Sequence, residues 1–211
     1  MPGSYGVAHA FCVVPPSYKH GGPTVKMVYN MDIFKKLALF IMATVATLFL
    51  IAWSVDSFGF RSPIFAFLLN WLVMAWIAIV GQVIHLSFPS AYYDIRPFEQ
   101  AGQVYERVGI RLFKKLVRRG PFTIFSPTLR FPPEKTASAL RKLESEMRKA
   151  ETGHTLIFIL MWLFVGYAVL NGWLDAVVWI LFFNILINGY PIMLQRYNRI
   201  KVEELIHQQN G

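Results

Sequence analysis

The sequence is short of cysteine: Cys12 is the only one in 211 residues. A single thiol forms no intrachain disulfide and supplies too few ligands for a cysteine metal site. The sequence also lacks Gly-rich phosphate loops, Ser-centred nucleophile elbows and metal-ligand pairs at a suitable spacing. Catalysis by this chain would therefore depend on histidine, carboxylate, amide and guanidinium groups, with no bound metal or cofactor.

Charged residues are nearly absent from four apolar blocks. These blocks are residues 37–55, 63–86, 155–170 and 174–194. A membrane-spanning helix needs about 20 apolar residues, so the third block crosses only if its helix begins before Thr155. With turns at residues 56–61 and 171–175, the pattern predicts an all-α integral membrane protein. We expect four transmembrane helices in two hairpins, with a cytoplasmic amphipathic helical insert between spans 2 and 3.

Acidic residues are also few: the chain has 12 Asp and Glu against 21 Lys and Arg, which gives a net charge of +9. Four basic residues precede the first block, thirteen lie between Arg96 and Lys149, three follow the last block, and Arg61 lies in a hairpin turn. The positive-inside rule then predicts a multi-pass protein of the cell membrane with both termini and the insert in the cytoplasm. The basic charge indicates contact with anionic headgroups or substrates, and a nucleic-acid partner is not expected.

The polar segments predict less structure. Residues 1–30 are rich in Gly and Pro and have no sustained period, which indicates a disordered tail or an over-extended start. Residues 31–211 form the predicted membrane-embedded domain. Within the insert, residues 87–153, the pattern predicts an interfacial amphipathic helix over residues 105–118 and a second helix over residues 134–149.

The last apolar block carries a polar stripe. At 100° per residue, its polar positions and one proline fall within an arc of about 80° on one helix. These residues are Asn184, Asn188, Pro191, Gln195 and Arg199. Amides inside a membrane are costly unless they meet partners, so the stripe is predicted to face the bundle interior or a wet cavity. We interpret it as part of a functional site.

A second constellation lies just before the third block and consists of Glu146, Glu151 and His154. If the helix continues through Gly153, His154 lies between the two carboxylates and one turn from Glu151. A carboxylate orients an imidazole and raises its basicity, as a general base for hydroxyl activation requires. The alternatives are a solvated charged face and an interfacial histidine without chemistry. His85, at the end of the second block, is the next histidine to consider as a base.

Three blocks of the sequence resemble the glycosyl-diaponeurosporenoate acyltransferases, small membrane proteins that complete staphyloxanthin-type carotenoids. The blocks are Phe-Pro-Ser-Ala-Tyr-Tyr at residues 88–93 with Phe98 and Lys114-Lys115, residues 146–154, and residues 188–199. The resemblance covers residues 86–205. It implies transfer of a fatty acyl group onto the sugar hydroxyl of a glycosylated carotenoid or a similar glycolipid in the membrane. It leaves the oligomeric state open.

The chemistry of acyl transfer suggests roles for these positions. The predicted catalytic residues are His154, Glu151 and Glu146, and the predicted substrate-binding residues are Asn188, Gln195, Arg196, Asn198, Arg199, Lys114 and Lys115. His154 is the expected base, and the amides are expected donors to the oxyanion. An acyl-CoA or an equivalent donor is the expected co-substrate, whose phosphates suit the basic insert.

Two other function classes stay open. A small membrane methyltransferase of the isoprenylcysteine type also has short spans and an Arg- and Glu-rich cytoplasmic tail, which residues 199–204 resemble without a matching cofactor motif. In a non-enzymatic membrane interaction protein, the polar stripe would instead serve helix packing, at about 0.6 kcal/mol for each amide contact.

Overall fold

The computed structural model describes residues 23–84, 86–119 and 136–210, and the regular structure in these residues is helical throughout. The helices are α1 (Pro23–Phe58), α2 (Pro63–Val83), α3 (Ser90–Tyr93), α4 (Gln103–Arg107), α5 (Ile110–Arg119), α6 (Ala137–Leu170), α7 (Leu174–Asn184), a π-helical turn (Ile185–Gly189) and α8 (Tyr190–Asn210). The predicted all-α fold class is confirmed.

The chain divides into two compact units, residues 1–36 and residues 37–211. Of the first unit, the structure describes residues 23–36, which form the start of α1. Residues 23–30 are therefore helical, although the sequence suggested an irregular tail there, and residues 1–22 lie outside the described residues. The packing described below is that of the second unit.

Among the described residues, four helical segments are long and apolar enough to cross a membrane, and the chain is a membrane protein. The segments are Ile33–Phe58, Pro63–Val83, Ala137–Leu170 and Leu174–Gln208. Each contains or closely matches one of the apolar blocks in the sequence. The start of the second segment is well specified locally, because the Ser62 side chain accepts a hydrogen bond from the Ile64 N–H and Pro63 occupies the first turn.

Helices α2, α6 and α7 pack against one another through apolar side chains. One buried cluster joins α2 to α6 and consists of Phe65, Leu69, Val73, Ile157 and Met161. A second cluster adds α7 and consists of Ala66, Val165 and Ile180. The two turns lie together at one end, where Arg61 Nε donates to Asp175 at 2.9 and 3.0 Å.

Helix α6 is longer than the sequence suggested. The Thr136 side chain caps its first turn by accepting from the Ala139 N–H, and the helix then continues without a break to Leu170. A lone glycine such as Gly153 costs a helix only about 1 kcal/mol relative to alanine, which packing easily outweighs. The second predicted insert helix and the third predicted span are therefore one element, which removes the shortfall in the length of that span.

The last block contains a π-helical turn that the sequence analysis did not predict. The Tyr190 N–H bonds to the Ile185 carbonyl, five residues earlier. Pro191 follows directly; it has no N–H to donate, and its ring would clash with the Ile187 carbonyl in a regular α-helix. The wider turn lets the chain pass the proline and continue into α8.

The first part of the insert packs on α8. Gly109, at φ 82°, separates α4 from α5, so the single helix predicted over residues 105–118 is in fact two. Ile110 lies in a buried cluster with Tyr105, Leu194, Tyr197 and Ile200. On the opposite face of α5, Leu112 and Leu116 are exposed beside Arg111 and Lys115. This amphipathic pattern supports the interfacial placement of α5, which stays a prediction.

The orientation in the membrane is testable by cysteine labelling. In a Cys12→Ser background, Ser57→Cys and Asn171→Cys in the two turns should react with an impermeant maleimide on intact cells, because the positive-inside rule places these turns outside. Arg107→Cys, in the insert, should react only after permeabilisation. Labelling of Arg107→Cys on intact cells would contradict the orientation.

Candidate functional site

The Glu151 carboxylate is fully buried between α6 and α8. Arg196 Nε donates to its Oε1 atom at 2.9 Å, and Arg199 Nη1 donates to its Oε2 atom at 2.8 Å. A charge inside protein is tolerated only with partners of opposite charge and good geometry, and Glu151 has two. The sequence suggested that Glu151 orients His154; the structure instead pairs this carboxylate with two arginines.

A second carboxylate, Glu99, completes this group. Arg196 Nη1 donates to both Glu99 oxygens, at 2.9 and 3.0 Å, and the Tyr105 hydroxyl also donates to Glu99. Glu99, Glu151, Arg196 and Arg199 thus form a buried group with two positive and two negative charges, which we call the charge cluster. Its formal charges cancel, as burial near a membrane requires.

The charge cluster also binds the backbone of the insert. Arg196 Nη2 donates to the Tyr92 carbonyl and Arg199 Nη2 donates to the Tyr93 carbonyl, while the guanidinium groups lie 5.3 and 5.6 Å from the centres of the Tyr92 and Tyr93 rings. The two arginines were predicted to bind substrate. In the structure, their donors are largely occupied in fixing the Phe88–Tyr93 region onto α6 and α8.

The electrostatics of Glu99 follow from its donors. Burial alone would raise the pKa of Glu99, but hydrogen bonds from the Tyr105 hydroxyl, the Arg96 N–H and Arg196 outweigh it and hold the pKa below its ordinary value. Glu99 is therefore the ionised partner of Arg196 at neutral pH.

A separate polar group surrounds His154. His154 Nδ1 lies 3.3 Å from Asn188 Oδ1. Asn188 Nδ2 donates to Asn70 Oδ1 and to Asn184 Oδ1, both at 2.9 Å. All three asparagines are fully buried, and we call them the amide cluster. No hydrogen bond to His154 Nε2 occurs within the described parts of the chain.

The polar stripe faces the interior of the protein, as predicted. Its amides and its arginine are buried: Asn184, Asn188, Gln195 and Arg199, together with the neighbouring Asn198. The stripe divides along its length, because Asn184 and Asn188 meet amides and His154 whereas Arg199 meets Glu151. Asn198 Oδ1 accepts from Lys114 Nζ at 2.6 Å, and among the described residues its Nδ2 has no hydrogen-bond partner.

The remaining predicted site residues lie farther out. Glu146 is half exposed and pairs with Lys149 at 2.8 Å, so the structure does not bring it to His154. Lys115 is exposed on α5, next to Lys114. His85 lies outside the described residues.

Two residues of these clusters, Asn70 and Glu99, were outside the predicted functional site, and so was Tyr105, which donates to Glu99. Asn70 is the one strong polar group in the middle of the second apolar block, and this isolation was the signal that it needs a partner. Glu99 lies in a segment without a helical period, and Tyr105 lies at the start of the helix predicted over residues 105–118. Neither pattern indicates that Glu99 pairs with Arg196 or that Tyr105 donates to Glu99.

Residues 89–208 match the family model described as Glycosyl-4,4'-diaponeurosporenoate acyltransferase. No curated protein and no solved structure matches the chain. The matched segment includes the whole charge cluster, His154, Asn184 and Asn188, whereas Asn70 precedes it.

The charge cluster should dominate the stability of the site. Arg199→Met leaves Glu151 short of one of its two cations, and breaking a fully buried pair costs about 3–5 kcal/mol. The measurement is the midpoint of thermal unfolding of the protein in detergent. Arg61→Met is the matched control, since it breaks the exposed pair with Asp175 and should change the midpoint little. Equal midpoint changes in the two variants would argue against this role.

Glu99 makes the stability of the folded protein depend on pH in the acidic range. A carboxyl whose pKa is lowered by folding stabilises the protein above its ordinary pKa of 4.5, and this contribution is lost as the pH falls through the folded value. The unfolding midpoint of the wild type should therefore fall in this acidic range more steeply than that of Glu99→Gln. Parallel curves for the two proteins would contradict the assignment.

Proposed function

The chain belongs to the glycosyl-4,4'-diaponeurosporenoate acyltransferase family, and from this premise we propose that it is a membrane enzyme that esterifies the sugar hydroxyl of a glycosylated carotenoid or a similar glycolipid with a fatty acyl group. Family membership supports an acyltransferase of carotenoid biosynthesis. The four membrane-spanning segments suit an acceptor whose long apolar part lies in the bilayer.

The environment of His154 is the observation that carries the mechanism. The ring is held through Nδ1 by Asn188, and Nε2 has no partner among the described residues. A general base needs this combination of a fixed ring and a nitrogen with an available lone pair. Of the two described histidines, His154 lies next to the third apolar block, whereas His207 is exposed near the end of α8.

The proposed reaction transfers one proton and one acyl group. His154 Nε2 takes the proton from the sugar hydroxyl as its oxygen attacks the acyl carbonyl. The new ester bond forms when the bond to the leaving group breaks, and the imidazolium returns the proton to that group. With an acyl-CoA donor, the leaving group is the CoA thiolate.

The hydrogen bonds around His154 assign roles to the amides that differ from those expected from the sequence. Asn188 Nδ2 already donates to two asparagines, so its role is to hold His154 and not to stabilise an oxyanion. Among the remaining amides, Asn198 Nδ2 is a buried donor without a partner in the described residues, and we assign it to the substrate. Gln195 is the neighbouring candidate.

The proposed acyl donor approaches from the side of α5. Lys115 is exposed on α5, and the side chain of Lys114 reaches from α5 to Asn198. Phosphates of CoA are anionic and suit such ammonium groups. The charge cluster has no net charge to offer an anion, so we give Glu151, Arg196 and Arg199 the role of holding α3 and its flanking residues against α6 and α8. In the orientation expected from the loop charges, the site opens to the cytoplasm.

The central test replaces the proposed base. His154→Ala should lower the rate of ester formation about 10²- to 10⁴-fold while the protein still inserts in the membrane, because proton abstraction by a positioned group contributes about this much. The assay supplies membranes with a glycosylated carotenoid acid and an acyl-CoA and follows the esterified product by mass.

The matched control is His207→Ala, an exposed histidine on α8, which should leave the rate unchanged. Extracts of a deletion strain should accumulate the unesterified glycoside and lack its ester. Near-normal turnover by His154→Ala would exclude this base, and an unchanged extract from the deletion strain would exclude the substrate class.

A further inference from the structure

The amide cluster determines which way round the Asn188 side chain lies. Asn70 Nδ2 donates to the Ala66 carbonyl at 2.9 Å, and Asn184 Nδ2 donates to the Phe158 carbonyl at 3.1 Å. These carbonyls only accept, so each asparagine must place its NH₂ group there and its oxygen on the other side. Both oxygens face Asn188.

Two acceptors thus meet one end of the Asn188 amide. Only its NH₂ group satisfies both, and it has one hydrogen for each: Nδ2 lies 2.9 Å from both Asn70 Oδ1 and Asn184 Oδ1. The reversed amide would bring its oxygen against two other oxygens in a buried site, at the full cost of unmade hydrogen bonds. Asn188 Oδ1 is therefore the atom that faces His154.

This orientation has a consequence for the imidazole. Asn188 Oδ1 accepts hydrogen bonds and cannot donate one, so the contact with His154 Nδ1 at 3.3 Å requires a proton on Nδ1. A neutral imidazole has one ring proton, and Nε2 is then the nitrogen with the lone pair.

We propose that Asn70 and Asn184 are positioning residues, which fix the Asn188 amide so that neutral His154 is protonated on Nδ1 and presents Nε2 as the proton acceptor. The purpose of this arrangement rests on the proposed function, since only a reaction that deprotonates the acceptor hydroxyl needs the tautomer with a proton on Nδ1. Asn70 acts from α2, a helix outside the segment that matches the family model.

The π-helical turn is part of this arrangement. Asn188 lies within it, and Asn184 caps its N-terminal end. Asn184 and Asn188 are four residues apart, which places both side chains on the same face, and Asn188 Nδ2 donates to Asn184 Oδ1 at 2.9 Å. π-helical turns often occur at functional sites, and here the turn directs an amide at an imidazole.

Packing alone would also explain three asparagines that satisfy one another. The two explanations differ in what happens to the ring when the amides are removed. If the cluster served packing only, the protonation of His154 would not follow the state of Asn70 and Asn184.

The test is nitrogen-15 NMR of the full-length protein in detergent, labelled at histidine, at about pH 8, where an ordinary imidazole is neutral. The ring-nitrogen signals distinguish Nδ1–H from Nε2–H, and the difference from His154→Gln identifies the His154 signals. We expect the Nδ1–H form in the wild type. Asn188→Leu, and the double variant Asn70→Leu with Asn184→Leu, should each shift His154 toward Nε2–H.

Asn171→Leu is the matched control. Asn171 donates to the carbonyl four residues earlier, as Asn70 does, but it lies exposed at the turn between α6 and α7. This variant should leave the His154 signals unchanged. Nε2–H in the wild type, or Nδ1–H retained in a folded double variant, would overturn the proposal.

If the double variant does not fold, the single variants decide. Each should lower the Nδ1–H fraction, and no change in either overturns the proposal. The NMR experiment contains no substrate, so it is independent of the acyl-transfer assay. An Nδ1–H ring together with an active His154→Ala would refute the proposed base while leaving the positioning of the ring intact.

Discussion

The structure depends on the carboxylate of Glu151, which is fully buried on a helix that is long and apolar enough to span a membrane. Such a charge persists only where cations and hydrogen bonds replace its water. Arg196 and Arg199 provide both from α8, and their remaining donors require acceptors in turn. Glu99 and the carbonyls of Tyr92 and Tyr93 are these acceptors. The hydrogen bonds that surround the Glu151 carboxylate and its two arginines therefore link α6, α8 and the insert.

The polar residues of the last span separate by type because amides and charges have different requirements. Buried charges need opposite charges as well as hydrogen bonds, and the carboxylates that pair with Arg196 and Arg199 come from the insert and from the polar part of α6. Asn184 and Asn188 lie deeper in the apolar block, where they meet Asn70 and the Phe158 carbonyl. His154 lies at the level where the two groups meet, held by an amide and close along α6 to the charge cluster. Because Asn188 and not a carboxylate contacts the ring, His154 forms no direct ion pair with any described residue, and Nε2 stays available.

The sequence predicts the apolar blocks and the buried face of the last span because both follow from composition and the helical period. It does not predict partners. A period of 3.6 residues places Glu151 and His154 on one side of α6, yet the groups that meet them come from α8 and from the π-helical turn before it, which no periodicity within α6 can reveal. Glu99 acts from a segment without a period. The π-helical turn follows from Pro191, but only the packed structure shows that the chain widens there instead of ending the helix.

The segment that matches the family model does not contain the whole of the proposed site. It supplies His154, Asn188 and the charge cluster, but the second acceptor that orients the Asn188 amide comes from Asn70 on α2. A buried amide that meets only one of two acceptors has a weaker preference for its orientation, because the hydrogen bonds that oppose reversal are halved. The second span thus contributes more than anchorage: α2 packs on α6 and α7 through apolar side chains and delivers one polar atom at the depth of His154. The chemistry that we propose for the matched segment therefore depends on a helix that lies outside it.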